Sequence, residues 1–144
     1  MEHFAAGIIP YIVTENGISF LLGLEKRGWS GFVGSSEPGE TPSQTALREF
    51  NEESAMIFST YQINLTTLPI VEKTPTGKTV YLWFINFPKE IIGIESQFEL
   101  NKSKLNKREY HEKSKLKWFN FYEIKNNKHI FKKLKNVIIS NFLF

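Results

Sequence analysis

The stretch from Gly34 to Met56 decides the fold. It begins Gly34-Ser-Ser-Glu-Pro-Gly-Glu40, continues for seven residues, and ends Arg48-Glu49-Phe50-Asn51-Glu52-Glu53-Ser54-Ala55-Met56. A glycine is followed six residues later by a glutamate, and eight residues after that by an arginine that opens an acidic run. Glutamates, whose like charges repel each other, are therefore concentrated around an arginine at fixed spacing.

The local sequence around this run predicts a loop followed by a helix. Thr41-Pro42-Ser43-Gln44 reads as a capping box, with Thr41 at the N-cap and Pro42 at the first helical position. Residues 45–53 are mostly compatible with a helix. The apolar side that this helix would turn to a core contains Ala46, Leu47 and Phe50.

Three glutamates fall on one face of the predicted helix. Glu49, Glu52 and Glu53 are spaced i, i+3 and i+4, so their carboxylates repel each other and weaken a free helix. A bound cation reverses this effect, and clustered hard oxygen ligands suit Mg²⁺ or Mn²⁺. Such an ion orients a diphosphate and lowers the pKa of an attacking water. The alternative is an acidic helix face that is simply solvated.

The whole run resembles the Nudix box, whose pattern is G-x5-E-x7-R-E-U-x-E-E-x-G-U, where U is a bulky aliphatic residue. The glycine and every charged position are met, and two positions depart: Phe50 stands at a U position and Ala55 replaces the last glycine. Nudix proteins mostly hydrolyse a diphosphate linkage in nucleoside-diphosphate compounds with a divalent metal. The resemblance implies that activity, and a mixed β-sheet between helices.

The resemblance also implies a role for each charged residue. Glu52 and Glu53 correspond to metal ligands, and Glu49 corresponds to a further ligand or to the general base. Arg48 is expected to pair with Glu40 and so to hold the loop against the helix.

Two departures from the family pattern affect the backbone. A carbonyl just before Gly34 often joins the metal shell in this family, which points to Val33. Family members often have Trp-x-Phe-Pro-Gly-Gly here, whereas this chain has Trp29-Ser-Gly-Phe-Val-Gly34, and valine restricts the backbone more than glycine. At the other end, Ala55 predicts a helix exit that differs from the usual left-handed glycine.

Charged residues outside the box are further candidates for the site. Lys26 and Arg27 end a predicted strand just before the box and suit substrate phosphates, or are a surface pair at a turn. Glu112, with Glu109 as the second candidate, precedes a Trp-containing late strand, a position from which similar proteins reach back to metal or water. A loop glutamate that balances nearby lysines is an equally good interpretation. His111 lies beside it.

Aromatic residues are candidates for stacking on a nucleobase, and the sequence leaves open whether they line a pocket or the core. In a strand, Tyr81 and Trp83 share one face. The full set of candidates is Trp29, Tyr81, Trp83 and Trp118.

The order of predicted elements fits one α/β (α+β) Nudix-like domain over residues 1–144, with a mixed sheet sandwiched between helices. A hairpin is predicted from Phe4–Val13 and Ile18–Leu24, joined through an Asn-Gly turn signal. The remaining predictions are strands at 58–68, 79–87 and 117–122, a turn within 71–78, a mobile loop at 101–107 and a final helix at about 126–142.

Composition limits the class of protein. The 144 residues are 41% hydrophobic and contain no cysteine, so disulfides and thiolate metal sites are excluded. No basic segment precedes an early apolar run and no apolar stretch reaches membrane-spanning length, so we expect a soluble cytoplasmic protein that does not enter membranes.

Charge is divided unevenly along the chain. Residues 1–100 hold 6 basic and 12 acidic residues, a net charge of −6, whereas residues 101–144 hold 12 basic and 3 acidic residues, a net charge of +9. The basic third either forms a solvated helix or attracts an anionic substrate such as RNA.

The leading hypothesis is therefore Mg²⁺-dependent hydrolysis of a phosphoanhydride bond in a nucleotide or a nucleotide conjugate. Two alternatives remain: action on RNA 5′ ends or caps, and a weakly catalytic nucleotide-sensing module. Nudix proteins are often homodimers, so the resemblance also makes a dimer an expectation.

Overall fold

The computed structural model describes residues 3–105 and 107–142, with the side chain of Glu109 outside this description. The strands within these residues are β1 (Phe4–Thr14), β2 (Gly17–Glu25), β3 (Gly28–Ser30), β4 (Phe32–Ser35), β5 (Ile70–Lys73), β6 (Thr79–Asn86) and β7 (Lys115–Asn120). The α-helices are α1 (Pro42–Glu53), α2 (Phe98–Lys104), α3 (Phe121–Asn126) and α4 (Lys132–Phe142). Short 3-10 turns occupy Lys89–Ile91, Ile94–Gln97 and Arg108–His111.

The strands form one mixed sheet with β1 at its centre. The main path is β3-β2-β1-β6-β5, with β4 also paired to β1 and β7 to β2. β1 runs parallel to β6 and antiparallel to β2 and β4. The predicted hairpin is confirmed as β1 and β2, and the predicted mixed α/β fold is confirmed.

Helices cover both faces of the sheet, because alternate residues of its strands enter two separate cores. On one face, Ile8 and Ile12 of β1 pack with Ala46 and Phe50 of α1. On the other face, Ile9 packs with side chains of α3 and α4. The capping box predicted for α1 is present, with Thr41 accepting from the backbone of Gln44 and the Gln44 side chain accepting in return. The apolar side of α1 is therefore buried as its sequence predicts.

β1 changes partner halfway along one edge. Its residues Ala5 to Ile8 pair with β4, and its residues Tyr11 to Thr14 pair with β2. Pro10 lies between the two ladders, where a residue without an N–H leaves no donor unpaired. The sheet therefore forks at β1, and β2 and β4 diverge on that side.

The strand predicted at 58–68 is wrong, because this segment is a turn and an extended loop. Its apolar residues serve the core: Phe58 is fully buried and stacks on Phe50 with ring centroids 4.7 Å apart. The indole N–H of Trp83 donates to the Thr67 carbonyl at 2.9 Å and fixes the end of the loop. The next strand, β5, begins at Ile70 and takes up the first three residues of the stretch 71–78, for which only a turn was predicted.

Two further predictions near the C-terminus need correction. The lysine-rich stretch at 101–107 is not a loop throughout, because α2 extends to Lys104. The final helix predicted at about 126–142 is α4, which begins only at Lys132, because the chain before it pairs with β3: the Trp29 N–H donates to the His129 carbonyl at 2.7 Å. The short helix α3, which precedes this segment, was not predicted. The strand predicted at 117–122 is β7, shifted by two residues. Among the described residues, no helix is both long and apolar enough to cross a membrane.

The exit from α1 is left-handed despite the missing glycine. Ala55 has φ of 51° and Met56 has φ of 62°. The prediction that Ala55 implies a different exit is therefore wrong. The N–H groups of both residues bond back to carbonyls of α1, and Asn101 donates to the Ala55 carbonyl at 2.8 Å, so these contacts stabilise the strained conformation.

Substitutions at Ala55 test this strain. Ala55→Gly relieves a left-handed penalty of about 1–2 kcal/mol but loses a buried methyl worth about 0.8 kcal/mol, so we expect a change within about 1 kcal/mol. Ala55→Val places a β-branched side chain at positive φ in a fully buried position. We expect it to lower the free energy of unfolding by at least about 2 kcal/mol in urea titrations. Equal stabilities for the two variants would contradict this account of the exit.

Candidate active site

The guanidinium of Arg48 connects the loop before α1 to the glutamates on α1. It makes a two-point contact with Glu40, through Nε to Oε2 at 2.7 Å and Nη2 to Oε1 at 3.0 Å. Nη1 donates to Glu49 Oε1 at 2.8 Å and to Glu52 Oε1 at 3.2 Å, and Nη2 also donates to the Ser35 carbonyl at 2.9 Å. The predicted pairing of Arg48 with Glu40 is confirmed.

Glu40 is held in this position from three directions. Besides Arg48, the Thr45 hydroxyl donates to Glu40 Oε1 at 2.7 Å and the Glu37 backbone N–H donates at 2.8 Å. These donors stabilise the ionised carboxylate, and the hydrogen bond from Arg48 is the largest cause that lowers the Glu40 pKa to about 2. The hydrogen bond to Glu40, followed by the contact with Glu49, raises the pKa of Arg48 above its ordinary value.

Removing the Glu40 charge should therefore destabilise the protein in a pH-dependent way. The folded-state pKa lies below the unfolded value, so the stabilisation is present above about pH 4.5 and is lost as the pH falls toward 2. We expect Glu40→Gln to lower the free energy of unfolding by about 2 kcal/mol at pH 7, and the deficit to shrink in acid. Glu37→Gln is the matched control, because Glu37 also contacts Arg48, at 3.3 Å, but is largely exposed. A deficit that is constant with pH would argue against an ionised anchor.

Gly34 is needed for space, because the Glu49 carboxylate packs directly on it. A Cβ at this position would lie 2.2 Å from both Cδ and Oε2 of Glu49. Glu49 is buried among its neighbours, so it cannot move aside without leaving the cluster. The box glycine therefore determines where the first glutamate of the acidic run lies.

Gly34→Ala should displace the Glu49 carboxylate; if this cluster is catalytic, we expect turnover to fall by about 100-fold, because displacements of about 1 Å in a catalytic site have effects of this size. Steady-state kinetics measures the effect. The control is the same change made in a Glu49→Ala background, where we expect little further loss. A large additional loss in that background would show that Gly34 acts through another group.

Carboxylates from two parts of the chain converge in the site. One oxygen each from Glu49, Glu53 and Glu112 lies within 4.8 Å of the others. Glu52, predicted as a metal ligand, is not in this triple; its carboxylate contacts Arg48 and lines the same cleft. The side chain of Glu109, the alternative to Glu112, lies outside the described residues.

The chemistry of the triple fits a hard divalent cation. Glu53 is almost fully buried, and its Oε1 is a buried side-chain atom that has no hydrogen-bond partner among the described residues. Burial, opposed by the nearby Lys113 charge and reinforced by Glu49 and Glu112, raises the Glu53 pKa to about 9. A cation bound to Oε1 would satisfy this orphan oxygen and compensate the grouped negative charge.

Two clefts contain carboxylates of this cluster, and a third adjoins them. The acidic cleft contains the carboxylates together with Val33 and Gly34. A basic cleft of about 410 Å³ shares Glu112 with it and brings together Lys26, Arg27, Arg108 and His111. An apolar cleft of about 280 Å³ lies on the α4 face of the sheet and shares Val33 with the acidic cleft.

Comparison with known proteins agrees with this geometry. A family model described as the NUDIX domain matches residues 1–139. The chain belongs to the NUDIX family. Over 62 residues it is 36% identical to the oxidized purine nucleoside triphosphate hydrolase of Danio rerio, a stretch that covers 40% of this chain and 40% of that relative.

Solved NUDIX structures share the fold of this chain. The Ap4A hydrolase of C. elegans is 21% identical, with 100% of each chain covered and a TM-score of 0.61. A NUDIX-family hydrolase from Clostridium perfringens is 15% identical, with 97% and 95% covered and a TM-score of 0.62. At such identities the likeness concerns the fold.

The aromatic residues named as stacking candidates do not line the apolar cleft of this NUDIX domain. Trp83 is buried on the α1 face, and Trp29 packs edge-on against Phe119 at 4.9 Å. Trp118 donates to Glu95 at 2.9 Å. The aromatic residue of the apolar cleft is Phe131, which was predicted only as part of the final helix at about 126–142.

Sequence reasoning also missed Lys113, which is fully buried beside the cluster with Nζ 3.5 Å from Glu53 Oε1. It stands next to Glu112 in a lysine-rich stretch, where a surface role is the natural expectation. The available signal was Gly23 in the middle of an apolar strand, since such a glycine often marks a close approach. A Cβ at Gly23 would lie 2.6 Å from Lys113 Cδ.

Proposed function

We propose that this NUDIX chain hydrolyses a phosphoanhydride bond in a nucleotide or a nucleoside-diphosphate-linked substrate, with Mg²⁺ or Mn²⁺ as cofactor. The observation that carries the proposal is the convergence of Glu49, Glu53 and Glu112 between an apolar cleft and a basic cleft. A solvated acidic face would not bury Glu53 or leave one of its oxygens without a donor.

The three clefts suggest how a substrate lies. The apolar cleft, with Leu82, Phe131 and Val137 in its lining, has the size and character for one nucleobase and part of its sugar. Phosphates extend from there past Val33 to the carboxylates. Lys26 and Arg27 then contact phosphate oxygens beyond the cleaved bond, together with Arg108, because a guanidinium fork matches phosphate geometry.

The carboxylates hold the cation and manage the proton. A Mg²⁺ or Mn²⁺ ion held by Glu49, Glu53 and Glu112, with Glu52 and the Val33 carbonyl as further candidate ligands, would neutralise phosphate charge and acidify the attacking water. Glu112 is the better of two candidate bases, because it is exposed in the cleft whereas Glu49 Oε1 already accepts from Arg48.

Two of the similar proteins suggest substrate classes to compare. One is a hydrolase of oxidized purine nucleoside triphosphates and the other a hydrolase of Ap4A. A purine nucleoside triphosphate fits one base in the apolar cleft, and a dinucleoside polyphosphate also makes use of the basic cleft. We propose these two classes first. Capped RNA follows, because the basic third of the chain suits a polyanion, and a homodimer stays a prediction of the family resemblance.

The test is a hydrolysis screen with Mg²⁺ or Mn²⁺ and products resolved by chromatography. The substrates are ordinary and oxidized purine nucleoside triphosphates, diadenosine tetraphosphate, ADP-ribose and capped RNA. We expect one preferred class, and a loss of at least about 100-fold in Glu53→Gln because a metal ligand is removed. Glu15→Gln, which removes a glutamate from the exposed hairpin turn, is the control of matched charge.

Other outcomes would contradict the proposal. Unchanged turnover in Glu52→Gln at saturating Mg²⁺ would remove Glu52 from the candidate ligands. Tight nucleotide binding by the wild type without any product would favour the nucleotide-sensing module. Capped RNA that is cleaved better than free nucleotides, with binding that falls steeply as salt rises, would favour action on RNA ends.

A further inference from the structure

A buried lysine connects the apolar cleft to the carboxylate cluster. Lys113 Nζ donates to Glu25 Oε2 at 2.5 Å, to Ser30 Oγ at 2.6 Å and to the Gly31 carbonyl at 3.0 Å. All three acceptors belong to residues that line the apolar cleft. An ammonium group has three N–H donors, so these three contacts use all of them.

The fourth neighbour of the ammonium is Glu53. Its Oε1 lies 3.5 Å from Lys113 Nζ, close enough for charge attraction, yet this oxygen has no hydrogen-bond partner within the described part of the chain. The Lys113 charge therefore favours the ionised form of Glu53, which a cation requires, without taking up a lone pair. The oxygen stays available for a cation only as long as the three other acceptors hold the ammonium.

The fold makes a specific place for this side chain. Its stem passes over Gly23, where any larger residue would clash, and its Nζ lies 5.9 Å from the centroid of the Phe32 ring. The lysine is 0% exposed and Glu53 is 3% exposed, so neither charge is compensated by bulk water. Burying a charged side chain costs free energy, so such a residue is retained only where polar or charged partners compensate it.

We propose that Lys113 is a positioning residue of this site, one that is held by Glu25, Ser30 and Gly31 so that its charge balances Glu53 while Glu53 Oε1 stays free to bind the cation. The inference rests on the proposed function, since it takes Glu53 as a ligand. It assigns a role in metal affinity to Glu25 and Ser30, which contact the lysine but are not among the clustered carboxylates.

The consequence is that weakening either side-chain acceptor weakens metal binding. In Glu25→Gln the ammonium has a neutral amide oxygen in place of a carboxylate, and in Ser30→Ala it loses a hydroxyl acceptor. In both variants the ammonium is held less firmly, so that one of its N–H groups can turn to Glu53 and compete with the cation. We expect Mn²⁺ affinity to fall by about 10-fold in Glu25→Gln, in line with the effect of outer partners on metal sites, and by a smaller factor of about 3 in Ser30→Ala.

The comparison of these two variants separates this mechanism from simple charge loss. Glu25→Gln removes a negative charge, which by itself lowers affinity for a cation, and Glu15→Gln removes the same charge at a distant, exposed turn. Ser30→Ala removes no charge, so it weakens Mn²⁺ binding only if Lys113 is redirected. In a Lys113→Met background, Ser30→Ala should have no effect on Mn²⁺ affinity, and Lys117→Met, at an exposed position of the nearby strand β7, is the background control.

The experiment is a titration of the purified full chain with Mn²⁺, without substrate, in which isothermal titration calorimetry measures the Mn²⁺ affinity. Circular dichroism and thermal melts confirm that each variant is folded at the temperature used. In turnover assays, the same two variants should need more Mg²⁺ for half-saturation, because the cation site is weakened and not removed.

Each result decides one way. Weaker Mn²⁺ binding in both variants supports the inference, and if Lys113→Met does not fold, the single variants still test it. Normal Mn²⁺ affinity in Ser30→Ala overturns it, whether or not Glu25→Gln is affected. A wild type that binds Mn²⁺ but hydrolyses no substrate refutes the proposed function, whereas the order of Mn²⁺ affinities still tests Lys113. A wild type that does not bind Mn²⁺ contradicts both.

Discussion

The site depends on one interaction, the contact of the Arg48 guanidinium with several carboxylates at once. A helix with glutamates at i, i+3 and i+4 is disfavoured by repulsion, and the loop before α1 has few apolar residues to hold it. Arg48 addresses both problems, because its fixed fork of five donors reaches Glu40 on the loop and Glu49 and Glu52 on the helix. The cluster is thereby partly neutralised on one side and open to a cation on the other.

Lys113 has a complementary role within the protein interior. Arg48 is partly exposed and contacts Glu49 and Glu52, whereas Lys113 is fully buried and contacts Glu53. Two of the three clustered carboxylates, Glu49 and Glu53, thus each have a basic side chain beside them. These contacts offset part of the repulsion between the buried glutamates.

The local part of the site was predictable from the sequence, and the reason is physical. Thr41, Pro42 and Gln44 act within one turn, and Arg48 pairs with a glutamate only eight residues away, so short-range pattern determines the geometry. The left-handed conformation of Ala55 was not predicted, because propensity names glycine as the usual residue for this conformation but does not exclude alanine. Asn101 of α2 stabilises the left-handed conformation through its hydrogen bond to the Ala55 carbonyl.

The distant parts of the site were harder to predict, because nothing in the nearby sequence marks them. Lys113 lies in a lysine-rich stretch of the kind that usually faces solvent. Only contacts across the fold show that it is buried. Phe32 departs from the family pattern next to the box, yet its ring packs edge-on against Phe50 at 5.4 Å, so the change supports the core. The loop at 58–68 has strand-like alternation since its apolar residues also enter that core, without a neighbouring strand to pair with.

Arg48 and Lys113 also differ in how far along the chain their partners lie, and this difference has a consequence for folding kinetics. Arg48 joins residues that are 8 apart, whereas the contact of Lys113 with Glu25 joins residues that are 88 apart. Closing a short loop costs little entropy, so the loop and helix of the box can form early and locally. The buried lysine can take its place only after β7 has docked on β2. A nascent chain that has not yet released its last third would therefore carry half of the site already arranged, with Glu53 still open to water.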